Sequence, residues 1–300
     1  MEKDKAVLPG LALAAIGAIA FSGKAIIVKL AYRWGVDAVT LIMYRMLFAL
    51  PIFAAMAWWA SRGKPPLTGR DWLGVLGLGF SGYYLSSFLD FAGLQYVTAS
   101  VERLILYLNP TLVLLLAWLL YRKSWRPLQL VGMAVSYAGV ALVLGHEARL
   151  EGTNVAWGAA LVFASAVSYA VYLVYSGELV QRLGSLRLVG LATSVACVCC
   201  IVQFLLLRPL SAAADVAPQV IGLSLVNAVL CTAVPVLLVM MAIERIGPAM
   251  SAQTGMIGPV STIAMGVWLL GEPFTPWLAA GTVLVIAGIF VFSRAAPAAR

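Results

Sequence analysis

Three hundred residues, 63% of them hydrophobic and 11% charged, with a mean hydropathy of +0.98, exclude an ordinary soluble domain, where about 25% of residues are charged. The net charge of +8 does not mark a nucleic-acid-binding face, because the Lys and Arg residues fall in short loops between apolar runs. Cys197, Cys199, Cys200 and Cys231 all lie in apolar segments and His146 is the only histidine, so neither a disulfide framework nor a metal-ligand spacing is present, and no cofactor is expected.

A bilayer core of roughly 30 Å takes about 20 apolar helical residues, and the alternating strands of a membrane barrel are missing. The chain therefore predicts an all-α membrane protein. Ten transmembrane helices are expected at about 8–30, 38–60, 71–93, 99–120, 127–145, 154–178, 186–207, 217–243, 249–270 and 276–293. The first run outlasts a signal peptide and shows no clear cleavage site, so it is expected to remain as a span. The linkers are too short for a separate soluble domain.

In the first span, Lys24 sits near mid-membrane, where an ammonium facing lipid costs roughly 2.5 to 3.5 kcal/mol or more. It can bind a substrate carboxylate, snorkel to an interface, or pair with an internal acid such as Asp90. Arg45 in the second span reads as a packing and hydrogen-bonding residue. The third span holds Tyr83, Tyr84 and Ser87 and closes on Asp90; the fourth opens on Glu102 and Arg103 and contains Tyr107 and Pro110. Asp90 and Glu102 are candidates for a gate or proton site, or are charges at an outer rim. Gly77 to Gly82 fits GxGxxG, but a dinucleotide site needs a preceding strand, so close helix packing explains these glycines better.

Ser165, Tyr169 and Tyr172 of the sixth span share one helical face and, with the tyrosines of spans three and four, suit an aromatic or amphipathic solute. Asn227 and Gln253 add uncharged polar groups in spans eight and nine. Pro259 mirrors Pro110 as a bend-permitting residue with a gating role in view. Most tryptophans lie near span ends as interfacial anchors; Trp268 is kept as a cavity candidate.

A shift of 149 residues without gaps aligns Pro110 with Pro259, Leu120 with Leu269, Pro127 with Pro276, Gly132 with Gly281, Ala138 with Ala287 and Gly139 with Gly288. A five-helix unit crosses an odd number of times, so its second copy must enter from the opposite face. The basic loop Arg122, Lys123 and Arg126 then faces the cytoplasm and its duplicate around Glu272 faces outward. With both termini inside, thirteen Lys and Arg lie on the cytoplasmic side and four outside.

Tyr44 to Ala49, Gly93 to Ser100, Asn109-Pro110, Gly258-Pro259 and Gly271-Glu272-Pro273 occur in the order and spacing of the drug/metabolite transporter superfamily, and the chain resembles its EamA-type ten-helix exporters over nearly all its length. Within that superfamily it is most similar to the bacterial aromatic amino acid exporters. It departs from the pattern at Lys123, where many members are acidic, and at Phe21, where a Trp is frequent. The resemblance implies two EamA-like repeats, 1–150 and 151–300. It also implies a central cavity lined by spans 1, 3, 4, 6, 8 and 9, with Phe21 and Lys24 among its residues. Small metabolites, amino acids with aromatic or apolar side chains first, are the expected substrates. The setting implied is a bacterial inner membrane, with protons as a candidate coupling ion. An enzyme is not expected: HExxH, GxSxG and an intramembrane histidine are all missing from the sequence.

Overall fold

The computed structural model describes the chain over residues 2–122, 127–151 and 153–295, and its side chains over 8–122, 127–147, 154–243, 245–246, 250–251 and 254–292. Lys123 and Arg126 of the basic loop lie outside the described residues. The first half contains α1 (Glu2–Tyr32), α2 (Ala38–Ser61), α3 (Gly69–Leu78), α4 (Ser86–Gly93), α5 (Ala99–Leu106), α6 (Asn109–Tyr121) and α7 (Pro127–Glu151). The second contains α8 (Thr153–Leu183), α9 (Ser185–Leu207), the short α10 (Ser211–Ala214), α11 (Pro218–Ala228), α12 (Val234–Thr254), α13 (Gly258–Met265) and α14 (Pro276–Ala295). Among the described residues no strand occurs, and seven helices are long and apolar enough to cross a membrane. Gly258–Leu270 and Pro276–Phe292 are shorter apolar helices.

Local chemistry explains where the helices start. Asp37 accepts from the Val39 and Thr40 amides, Thr68 and Asp71 form a reciprocal capping box, and the Thr98 hydroxyl oxygen accepts from the Val101 amide. Two predicted spans are interrupted rather than straight. A π-helical stretch, Gly79–Leu85, separates α3 from α4, and a break at Tyr107 and Leu108 separates α5 from α6. Pro110 occupies the first turn of α6, where its missing N–H costs nothing.

The 149-residue shift carries these irregularities across. The π-helical stretch reappears at Val229–Ala233, the break before α6 reappears as the 3-10 turn Gly255–Ile257 before α13, and Pro259 again sits in the first turn. Left-handed Arg122 (φ 51°) corresponds to left-handed Gly271 (φ 73°). A Cβ added to Gly132 would lie 2.6 Å from the Gly288 carbonyl, and one on Gly139 would lie 2.7 Å from that of Gly281. The pairing runs in opposite directions along α7 and α14, and each pair is the other shifted by one repeat. Gly23 against Cys231 and Gly82 against Tyr172 are a second such couple. These contacts are reciprocal under the shift, so the two halves meet about an approximate two-fold axis, with α7 and α14 antiparallel.

The predicted break at 244–248 takes another form. Helical geometry continues through α12 to Thr254, yet Gly10 lies against Ile246 and the Ser22 hydroxyl donates to the Gly258 carbonyl. The chain therefore reverses direction beside α1 between Ile246 and Gly258. The largest buried apolar cluster joins α1, α2, α4, α9 and α11, with Cys197 and Cys200 packed in it as free thiols.

Candidate transport site

Where the two copies meet, a wide vestibule and a deeper chamber adjoin. The vestibule, about 590 Å³, is walled by α1, α8, α9 and α12 and reaches Val180, Ser185 and Met240 at the end of the bundle where α1 begins. The chamber, about 250 Å³, continues inward to Lys24, Arg45, Ser87, Asp90 and Asn109. Phe21, Tyr83, Arg103, Tyr107, Tyr169 and Val236 line both and form the neck between them.

At the neck, Tyr83 and Tyr172 hydroxyls are 3.2 Å apart, the Tyr169 and Tyr172 rings stack at 5.5 Å, and the Tyr107 hydroxyl donates to the Gly255 carbonyl at 2.8 Å. The Ser165 hydroxyl donates to the Ser86 carbonyl at 2.7 Å, so it also tethers α8 to α4. Beyond the neck the wall is charged. Lys24 Nζ lies 2.5 Å from Asp90 Oδ2 and 3.3 Å from Glu102 Oε1. Arg103 Nε reaches Glu102 Oε2 at 4.0 Å and donates to the Thr262 hydroxyl at 3.0 Å. Its guanidinium and the Lys24 ammonium both lie over the Phe21 ring, at 5.6 and 5.8 Å. Glu102 is wholly buried, with the Lys24 ammonium and the Arg103 side chain as its cationic neighbours.

The structure thus gathers Phe21, Lys24, Tyr83, Ser87, Asp90, Tyr107, Ser165, Tyr169 and Tyr172 at one cavity, and among the openings weighed for Lys24 it displays the Asp90 pair. Other expected lining residues stand elsewhere. Trp268 is 88% exposed on the outside of the bundle and contributes to neither cavity wall. Tyr84 packs against Phe80, with ring centroids 5.2 Å apart, because the π-helical stretch rotates successive side chains away from the simple helical face. Asn227 is buried behind the wall, where its amide donates to the Lys24 carbonyl at 3.3 Å. Glu102 is also behind the wall rather than on an outer rim. Pro110 is exposed and Pro259 buried, both at helix starts; the side chain of Gln253 lies outside the described residues.

Sequence reasoning passed over several residues. The implied lining omitted spans two and seven, yet Arg45 and Phe53 of α2 and Thr193 of α9 line the chamber. It also placed Glu272 simply in an outward loop. Glu272 is 9% exposed and caps α5: its oxygens accept from the Ala99 amide at 2.7 Å, the Ser100 amide at 3.2 Å and the Ser100 hydroxyl at 2.7 Å. Room for that carboxylate depends on Gly266, where a Cβ would lie 2.7 Å from Oε2. Arg33 donates to the Leu270 carbonyl at 2.6 Å beside it, and Lys29 donates to the Leu94 and Val97 carbonyls. At the end of the bundle opposite the vestibule mouth, Glu272 and Arg33 therefore hold the two copies shut against each other, while Lys29 ties α1 to the turn after α4. A Gly-Glu-Pro turn was the only sequence signal for it.

Comparison with known proteins places this architecture. The sequence model described as "EamA-like transporter family" matches twice, over residues 8–145 and 156–294. A Bacillus subtilis (strain 168) protein described as "Uncharacterized transporter YcbK" is 32% identical over 282 residues, covering 90% of this chain and 88% of its own. An "Uncharacterized transporter" of Archaeoglobus fulgidus is 24% identical and covers 93% of this chain and 95% of its own. A solved structure titled "Crystal structure of protein" shares the fold at a TM-score of 0.61 and 19% identity, covering 99% of this chain and all of that one.

Proposed function

The chain belongs to the EamA-like transporter family, and from that premise we propose that it is a secondary transporter of the bacterial inner membrane that exports amino acids with aromatic or apolar side chains by alternating access. In this arrangement ten helices form two inverted five-helix repeats with both termini cytoplasmic. The observation that carries the substrate class is the neck: aromatic rings of Phe21, Tyr83, Tyr107 and Tyr169 lead directly to a wall that holds the Lys24, Arg45 and Arg103 cations and the Asp90 carboxyl. Rings supply stacking surface for an apolar side chain, and opposite charges complement a zwitterion. Transport is the activity named for the family and for the relatives that match over most of their length.

With one end shut at Glu272 and the other open through the vestibule, the present form takes solute from the side where α1 begins, the cytoplasm in the proposed orientation. Export requires the Glu272 contacts to part while the vestibule closes.

Counterflow in proteoliposomes tests this. Labelled amino acids should accumulate transiently against a preloaded unlabelled pool, saturably, with aromatic and large apolar amino acids preferred. The same assay with and without an imposed pH gradient shows whether protons take part. Flux linear in concentration with no counterflow would identify a pore; accumulation of organic cations without any amino acid would point to a multidrug carrier.

A further inference from the structure

Five ionisable side chains surround the chamber, each less than a tenth exposed: Lys24 at 7%, Arg45 at 5%, Asp90 at 2%, Glu102 at 0% and Arg103 at 5%. Three are cations and two are carboxyl groups. Lys24 bridges both carboxylates and Arg103 reaches Glu102, so the surplus positive charge falls on Arg45, which has no carboxylate partner among the described residues. A guanidinium does not escape by losing its proton, and an unpaired buried charge is costly.

Arg45 is also held as a receptor would hold it. Nε and Nη2 both donate to the Thr232 hydroxyl, at 3.2 and 3.1 Å, and that hydroxyl is fixed by donating to the Asn227 carbonyl at 2.9 Å. The guanidinium lies over the Phe91 ring at 5.1 Å. Nη1 is left buried with no hydrogen bond, on a residue that lines the chamber. Two other residues of the chamber wall carry a buried oxygen without a hydrogen bond, Asp90 at Oδ1 and Asn109 at Oδ1, both acceptors. One cationic donor and two acceptors without partners, on three residues that line a single small cavity, complement a carboxylate and an ammonium on one solute.

We propose that Arg45 is the anchor for the substrate carboxylate, with Asp90 Oδ1 and Asn109 Oδ1 facing the ammonium and the solute's side chain lying in the neck. The anchor rests on the transport reading for its substrate class, and it assigns to Arg45 the role that the sequence suggested for Lys24. Lys24 instead keeps Asp90 and Glu102 in place.

Binding to the purified full-length protein in detergent, measured with labelled L-phenylalanine and unlabelled competitors, separates the possibilities. In the wild type, 3-phenylpropionate should displace the label at concentrations about tenfold or more below those needed for phenethylamine, since a charge-assisted hydrogen bond is at stake. Arg45→Gln should weaken phenylalanine and 3-phenylpropionate about tenfold or more and leave phenethylamine unchanged or improved; Arg45→Lys should lie between. A merely structural Arg45 would weaken all three together, and that result overturns the anchor, as does Arg45→Gln binding carboxylates normally. If Arg45→Gln does not fold, the wild-type competition decides: equal displacement by phenethylamine and 3-phenylpropionate, or no binding by any of the three, overturns it. Carboxylate binding through Arg45 without counterflow would end the transport reading and leave the anchor standing; counterflow undiminished in Arg45→Gln would do the reverse.

Discussion

An ammonium in the middle of an apolar helix must reach water, a ligand or an acid, and Lys24 has taken the third course with two acids at once. The arrangement binds α1 to α4 and α5, so the ion cluster is a joint between elements as well as part of a cavity wall. Removing one partner strands the others in a dry site. Lys24→Met should therefore lower stability by about 3–5 kcal/mol, and adding Asp90→Asn should recover part of it, because breaking a buried pair costs more than deleting it. Thermal unfolding in detergent measures both; a double variant no more stable than the single one would mean that Asp90 and Lys24 are not energetically coupled. Lys24 and Asp90 were recognisable from sequence as intramembrane charges needing partners. Arg45 was equally visible, but which of its nitrogens would be left over depends on Thr232 and Phe91, which lie on other elements.

At the scale of elements, the glycines and prolines that punctuate the chain mark close crossings and helix starts. Gly132, Gly139, Gly281 and Gly288 bring α7 and α14 together until backbone meets backbone, and a methyl at any of the four would overlap a carbonyl oxygen. Gly139→Ala should cost about 1–3 kcal/mol as the helices are forced apart. Gly145→Ala, on the same helix with nothing within 4 Å of the added carbon, should be neutral or stabilising by up to about 1 kcal/mol. Equal melting temperatures for the two variants would contradict the crossing described. The repeat spacing of these glycines was readable from the sequence, whereas the π-helical stretches were not; in the fold they lie where Gly82 meets Tyr172 and Cys231 meets Gly23. The π-helical shift of register is why Tyr84 left the cavity while Tyr83 stayed in it.

For the molecule as a whole, alternating access reduces to which end of the seam is held shut. Glu272 ties the second copy to the first turn of α5, the helix that three residues later carries Glu102 and Arg103, so movement at the closed end reaches the charged wall through one rigid element. On a background with the four native cysteines replaced by alanine, a membrane-impermeant maleimide applied to intact cells should label Phe274→Cys but not Ser185→Cys. Adding Glu272→Ala should make Ser87→Cys, in the chamber, reactive from outside. Labelling of Ser185→Cys from outside would reverse the proposed orientation, and an unreactive Ser87→Cys would remove Glu272 from the gate.

Sequence by itself determined that this chain is helical and membrane-borne, that it is written twice, and where its charges, prolines and repeated glycines fall. Those properties are local: each segment must satisfy its own backbone in lipid, and each Pro or Gly acts where it stands. Tertiary structure alone decided which groups meet. Lys24 and Asp90 are 66 positions apart, Arg45 and Thr232 are 187 apart, and Glu272 and Ser100 are 172 apart. Folding two inverted copies against each other fixes which face each helix turns inward, and from that alone come the paired lysine, the arginine left open and the carboxylate that closes the far end.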